Sequence, residues 1–188
     1  TTDRDVPTKV GTDTWVAVAG GIYHSLAINS DGELYAWGDN YYGQLGLDDT
    51  TTRDVPTKVG TDTWEAVYCG RYHSLAINSD GELYAWGYNN NGRLGLGDTT
   101  DRKVPTKVGT DTWVAVAGGN NHSLGINSDG ELYAWGRNDY GQLGLDDLTT
   151  RKVPTKVGTD TWVAVSGGGF HSLAINSDGE LYAWGYNN

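Results

Sequence analysis

The chain has 188 residues with 24 acidic and 13 Lys or Arg side chains, a formal net charge of -11. That balance disfavours nucleic-acid backbones and anionic membrane surfaces as partners, because both are held by Lys and Arg. No apolar run approaches the roughly 20 residues a spanning helix needs, no signal peptide opens the chain, and Cys69 is the only cysteine, which excludes an intrachain disulfide or a cysteine-built metal site.

The segment VPTKVGTDTW opens the chain at Val6–Trp15 and returns unchanged at Val55–Trp64, Val104–Trp113 and Val153–Trp162, a period of 49 residues. VPTKV reads as a short strand with its proline near the start, where a missing donor is tolerated. GTDT reads as a turn, and Trp15–Ala19 as a second strand. After a break around Gly20–Tyr23, His24–Asn29 forms a third strand. NSDG at Asn29–Gly32 is a hairpin signal, since Asp-Gly accommodates positive φ. Glu33–Gly38 is the fourth strand, followed by a glycine-rich loop through Gly43–Leu47. The stretch HSLAINSDGELYAWG recurs at His73–Gly87, at His122–Gly136 with Gly125 in place of alanine, and at His171–Gly185.

A fixed period of this size is the mark of a repeat architecture. In LYAW, Leu34 and Ala36 point one way and Tyr35 and Trp37 the other, so the strand is apolar on both faces and must be covered on both. A two-sheet sandwich would need polar outer faces. The expected fold is therefore all-β: a β-propeller of four-stranded antiparallel blades, about four per chain, in one domain over residues 1–188. The last repeat lacks its terminal loop.

The pattern GxxHSLAINSDGELYAWGxNxxGQLGLGD resembles the regulator of chromosome condensation repeat, in four tandem copies over the whole chain. The resemblance implies a propeller, typically of seven blades, with sequence units offset from structural blades. The functions it implies are diverse: nucleotide exchange on a small GTPase, chromatin contact, or protein inhibition. Fold therefore leaves function open. Four copies allow a four-bladed ring, an open arc, or two chains closing a larger ring. An arc would expose two apolar faces, so the expectation is a homodimer of about eight blades, the Thr1-side strands of one chain completing the last blade of the other.

Differences between the copies fall in two clusters. The first follows WVAV: Ala19, Gly20, Ile22 and Tyr23; Tyr68, Cys69, Arg71 and Tyr72; Ala117, Gly118, Asn120 and Asn121; Ser166, Gly167, Gly169 and Phe170. The second follows Trp-Gly: Asp39, Tyr41 and Tyr42; Tyr88, Asn90 and Asn91; Arg137, Asp139 and Tyr140; Tyr186 and Asn188. Smaller differences occur at Gln44, Arg93 and Gln142, and Val16 becomes Glu65. If WVAV runs up, HSLAIN down and ELYAWG up, both clusters reach one rim and the invariant NSDG and GTDT turns the other. Rigid aromatics among small polar residues resemble a paratope; neutral loop drift does not account for aromatics gathered on one rim. The expected binding residues are Tyr23, Tyr41, Tyr42, Tyr68, Arg71, Tyr72, Tyr88, Arg137, Tyr140, Phe170 and Tyr186, with a protein or peptide as partner. The near-identical framework fits recent amplification or an engineered consensus scaffold.

Candidate chemistry is sparse. His24, His73, His122 and His171 could suggest a metal ring, but symmetric strand starts stand far apart, and a buried histidine bonded to the backbone is the simpler reading. Glu33, Glu82, Glu131 and Glu180 read as solvated strand ends in equivalent environments, unlike a catalytic pair. Ser25 points away from His24. Asp48–Asp49 and Asp146–Asp147 lack calcium-loop spacing, and Gly97–Thr100 is no phosphate loop. No enzyme and no cofactor are expected. The alternatives to a protein-binding scaffold are a lectin-like propeller, a GTPase nucleotide-exchange factor, and a repeat assembly without natural ligand.

Overall fold

The computed structural model describes residues 4–187. They form twelve β-strands, and among them no helix is long and apolar enough to cross a membrane. Strands β1 (Trp15–Gly20), β2 (His24–Asn29) and β3 (Glu33–Gly38) make an antiparallel meander. Strand β4 (Arg53–Cys69) is 17 residues long and serves two groups. Its first part pairs with β3 through Thr57 opposite Ala36 and Lys58 opposite Tyr35. Its last part pairs with β5 (His73–Asn78), Val67 lying opposite Ala76.

The division repeats through β6 (Glu82–Gly87), β7 (Arg102–Gly118), β8 (His122–Asn127), β9 (Glu131–Gly136), β10 (Arg151–Gly167), β11 (His171–Asn176) and β12 (Leu181–Gly185). The strand order runs from β1 to β12 without a crossover. Each VPTKV segment from the second onward thus pairs with the ELYAWG strand of the preceding repeat, so sequence units and pairing groups are offset.

Two local expectations change. GTDT does not separate two strands: Lys58 pairs with Tyr35 and Thr63 with Glu33, so the residues between them bulge from a single strand. The first VPTKV, Val6–Val10, takes no strand conformation, because no ELYAWG strand precedes it. The NSDG turn forms as expected. Gly32 has φ of 77°, and Asn29 Oδ1 accepts from the Asp31 and Glu33 amides at 3.0 and 2.9 Å.

The core lies between repeats. Leu26, Ile28 and Leu34 of the first pack with Val59, Trp64 and Trp86 of the second. Leu75, Ile77 and Leu83 then pack with Val108, Trp113 and Trp135, and Leu124, Ile126 and Leu132 with Val157 and Trp162. Two-sided burial of the LYAW strand follows: in the second repeat Leu83, Ala85 and Trp86 are all fully buried. Among the described residues, β1–β3 make no contact with β10–β12. The four repeats therefore form an open series and not a closed four-membered ring.

Candidate partner-binding rim

Register places both variable segments at one end. His24 lies opposite Gly38, while Ile28 lies opposite Leu34 toward the other end. Just beyond His24 and Gly38, the Asp39 amide donates to the Tyr23 carbonyl at 2.8 Å. The bond recurs at 2.9 Å from Tyr88 to Tyr72, Arg137 to Asn121 and Tyr186 to Phe170. The invariant turns meet at the opposite end, where the Ser30 amide donates to Thr14 O and the Trp64 amide to Gly32 O, both at 2.8 Å.

The rim carries two aromatic groups. In the first, Tyr23 stacks on Tyr72 with centroids 5.6 Å apart. Tyr42 is its hub, 4.8 Å from Tyr41, 5.2 Å from Tyr72 and 4.3 Å from Tyr88. Desolvation, with smaller contributions from neighbouring phenols, raises the Tyr42 hydroxyl above its ordinary pKa. Tyr23, Asp39, Tyr41, Tyr42 and Tyr72 line a cavity of about 450 Å³, and Tyr41 is 72% exposed. Arg71 sits 5.0 Å above the Tyr72 ring and Arg93 4.7 Å above Tyr88, geometry suited to cation–π attraction. The second group joins Tyr140 to Phe170 at 5.6 Å and to Tyr186 at 4.9 Å. Arg137 lies 5.8 Å from the Tyr140 ring and pairs with Asp139 at 2.6 Å.

Beneath the rim, His24 Nε2 meets Ser74 Oγ at 3.0 Å, and Ser74 donates to Gln44 O at 2.8 Å. The arrangement repeats from His73 to Ser123 and from His122 to Ser172. Each imidazole thus reaches the hydroxyl of the next repeat, where a backbone partner was expected. Burial pulls His24 and His122 down to about 4 and His73 well below its ordinary value. These His–Ser pairs are unsuited to nucleophilic catalysis: Ser74, Ser123 and Ser172 are fully buried, and no group orients the other ring nitrogen.

The pattern described as the regulator of chromosome condensation (RCC1) repeat matches residues 31–77, 80–126 and 129–175. A second RCC1 pattern matches 15–44, 64–93 and 113–142. The chain belongs to the RCC1 repeat family. Among solved structures it is similar to yeast RCC1 (Prp20) bound to Kap60, with TM-score 0.84 and 26% identity, covering 96% of this chain and 45% of that one. Human WBSCR16 gives TM-score 0.81 and 27% identity, covering 92% and 47%. A second Prp20p structure from Saccharomyces cerevisiae, described with its binding properties to Gsp1p and histones, gives 0.83 and 27%, covering 96% and 47%. The human probable E3 ubiquitin-protein ligase HERC4 is 59% identical over 32 residues, 17% of this chain and 3% of the ligase. This chain therefore spans less than half of those solved chains and a small fraction of the ligase.

Across the RCC1 repeats, ten of the eleven expected residues lie in the two aromatic groups or against them. Tyr68 differs. Its hydroxyl donates to Gly118 O and its ring packs against the second and third cores, so it fastens two repeats together. Asn188 lies outside the described residues. Arg93 belongs with the rim although its position looked minor: it is 1% exposed and donates to Asn120 O and Asn91 Oδ1, each at 2.9 Å. The available signal was a charged residue where the first and third repeats carry glutamine.

The repeated acids are engaged, not simply solvated. Lys58 pairs with Glu33 at 2.5 Å, and this hydrogen bond leads in holding the Glu33 carboxyl below its usual range. Arg53 likewise holds Asp49 at 2.6 Å. Burial pushes the Cys69 thiol up to about 12, which makes it a poor nucleophile.

Proposed function

We propose that residues 1–188 form one non-catalytic propeller segment of four repeats whose varied rim binds a protein or peptide. In this reading each group of β1, β2, β3 and the first part of β4 is a four-stranded blade. The observation that carries the proposal is the gathering of Tyr23, Tyr41, Tyr42, Tyr72 and Tyr88 into one contiguous, partly exposed group at the varied end. Such rings provide contact area at low entropic cost. A protein partner is also in keeping with Prp20, which is seen bound to Kap60. A peptide-display selection tests the reading. Enriched peptides should lose binding to Tyr42→Asn, which copies the second repeat's Asn91, and keep it when the NSDG end is altered. Equal sensitivity at both ends would refute the assignment.

The same reading includes a second copy closing a larger ring of about eight blades. Leu181 is 68% exposed where Leu34, Leu83 and Leu132 are fully buried, and Val10 is 44% exposed where Val59 is 1%. Each is an edge face that the internal joints show how to cover. Lys9 of one copy would meet Glu180 of the other as Lys58 meets Glu33. Light scattering at micromolar concentration should give the dimer mass, and a monomer mass rules the ring out.

A further inference from the structure

We infer that the cleft where the first variable segments of the four repeats converge is a carboxylate site, with Arg71 gripping an acidic side chain or C-terminus of a bound peptide. This rests on the rim reading above. The cleft, about 260 Å³, is lined by glycine-rich segments of all four repeats together with Tyr68, Asn120 and Arg71, the only charged residue lining it among the described residues.

Charge pairing sets Arg71 and its neighbour apart. Arg53, Arg102, Arg137 and Arg151 each hold an aspartate at 2.5–2.6 Å. Arg71 has no carboxylate partner among the described residues, and its Nε is buried without a hydrogen bond. Arg93 is buried against two neutral acceptors only. Its pKa falls to about 10, chiefly through desolvation; Tyr88 and Asp101 oppose the fall, and weaker repulsion from Arg71 and Arg137 adds to it. Two guanidinium groups near one another without a carboxylate ion pair leave positive potential beside a cleft of an otherwise acidic chain.

The counterparts of Arg71 are Ile22, Asn120 and Gly169, and those of Arg93 are Gln44 and Gln142, so both charges occur in the second repeat alone. One face of Arg71 lies over Tyr72. With Nε buried, that leaves the two Nη groups for a carboxylate, whose two oxygens match their two parallel donors. A mouth lined by glycine admits an extended peptide backbone. Arg93 donates from its two Nη groups to Asn120 and Asn91 and is itself buried, so it contributes field and not contact.

The test titrates the whole chain with Ac-Gly-Glu-Gly-NH2, its Gln twin and inorganic phosphate, followed by the NMR signal of the Arg71 Nε–H group. The Glu peptide should move that signal and bind at least about tenfold more tightly than the Gln peptide. Arg71→Asn, the third repeat's own residue and so compatible with the fold, should remove the difference. Arg93→Gln should weaken binding several-fold. Equal binding of the two peptides, no effect of Arg71→Asn, no binding of any probe, or phosphate binding more tightly than the Glu peptide would each overturn the inference. Displayed peptides that depend on Tyr42 but show no acidic bias would leave the rim standing without the carboxylate site. Glutamate binding at Arg71 with no Tyr42 dependence would do the reverse.

Discussion

His24 Nε2 and Ser74 Oγ lie 3.0 Å apart across the seam between the first two repeats. Ser74 spends its only proton on Gln44 O, so the imidazole must be the donor in this contact. That fixes the neutral Nε2–H tautomer and leaves Nδ1 as a buried acceptor without a partner. Trp86 Nε1 donates to the same Gln44 carbonyl at 2.9 Å. One backbone oxygen of the first repeat thereby ties two side chains of the second, and the geometry recurs at Arg93 O and Gln142 O.

Removing the hydroxyl from this chain of bonds strands one buried donor and weakens the acceptor beside it, which keeps its Trp135 partner. Ser123→Ala would leave the His73 donor unpaired and withdraw one donor from Arg93 O. The cost of such an orphaned group is about 1–3 kcal/mol. Urea unfolding should show it as a lower midpoint with an unchanged slope. A midpoint within error of the parent would mean that the seam is held by apolar packing alone.

The buried imidazoles also set a pH dependence. Their folded-state values are depressed from 6.5 to about 4 for His24 and His122, and well below 6.5 for His73. Above pH 6.5 both folded and unfolded chains hold neutral rings and the full stability is present. As pH falls from 6.5 toward 4, the unfolded chain binds protons that the folded chain refuses, so stability declines. The loss approaches roughly 3 kcal/mol per ring for His24 and His122. Carboxylates such as Glu33 and Asp49, held below their ordinary values, extend the decline at lower pH. Thermal unfolding should show the midpoint falling well before the carboxylates titrate; a flat profile between pH 7 and 5 would contradict the burial of these rings.

Much of this was legible in the sequence because identical copies expose their own rules. Apolar residues on both faces of LYAW required cover on both sides, and the structure supplies it at Leu83, Ala85 and Trp86. Strand alternation placed Tyr23 and Tyr41 at one end, where both line a single cavity. Alternation could not show which repeat a side chain reaches. His24 finds Ser74 and not Ser25, and Tyr68 turns inward to Gly118, because those contacts depend on how far adjacent repeats are rotated and shifted. The loss of the first VPTKV strand has the same origin, since its pairing partner lies in the preceding unit.

The glycine three residues before each of His24, His73, His122 and His171 is a steric necessity. A Cβ on Gly119 would stand 2.2 Å from His122 Cε1 and from Gly168 O, far inside contact distance on both sides. The ring is pinned by Ser172 and the carbonyl belongs to the backbone, so neither can retreat cheaply. Gly119→Ala should destabilise by about 2 kcal/mol or more. Gly109→Ala makes a useful contrast because nothing lies within 4 Å of its Cβ position, although its φ of 60° adds backbone strain. Calorimetry on the two variants should show the larger drop for Gly119; the opposite order would place the cost in backbone conformation and not in the imidazole pocket.

Arg93 offers the converse case, a substitution expected to stabilise. Its guanidinium is 1% exposed and accepted only by the neutral Asn120 O and Asn91 Oδ1. At the matching positions Gln44 and Gln142 are fully buried and accept from the Tyr42 and Tyr140 amides at 2.9 Å. Arg93→Gln would remove a buried charge that lacks an opposite charge in contact and install a side chain that two other repeats already accommodate. Removing a buried charge avoids a desolvation cost of about 1 kcal/mol or more. The thermal midpoint should rise while the Glu-peptide affinity at Arg71 falls, the pairing expected when a local charge is kept for binding at the expense of stability. A lower midpoint would show instead that the two hydrogen bonds and the Tyr88 contact outweigh the cost of burying the guanidinium.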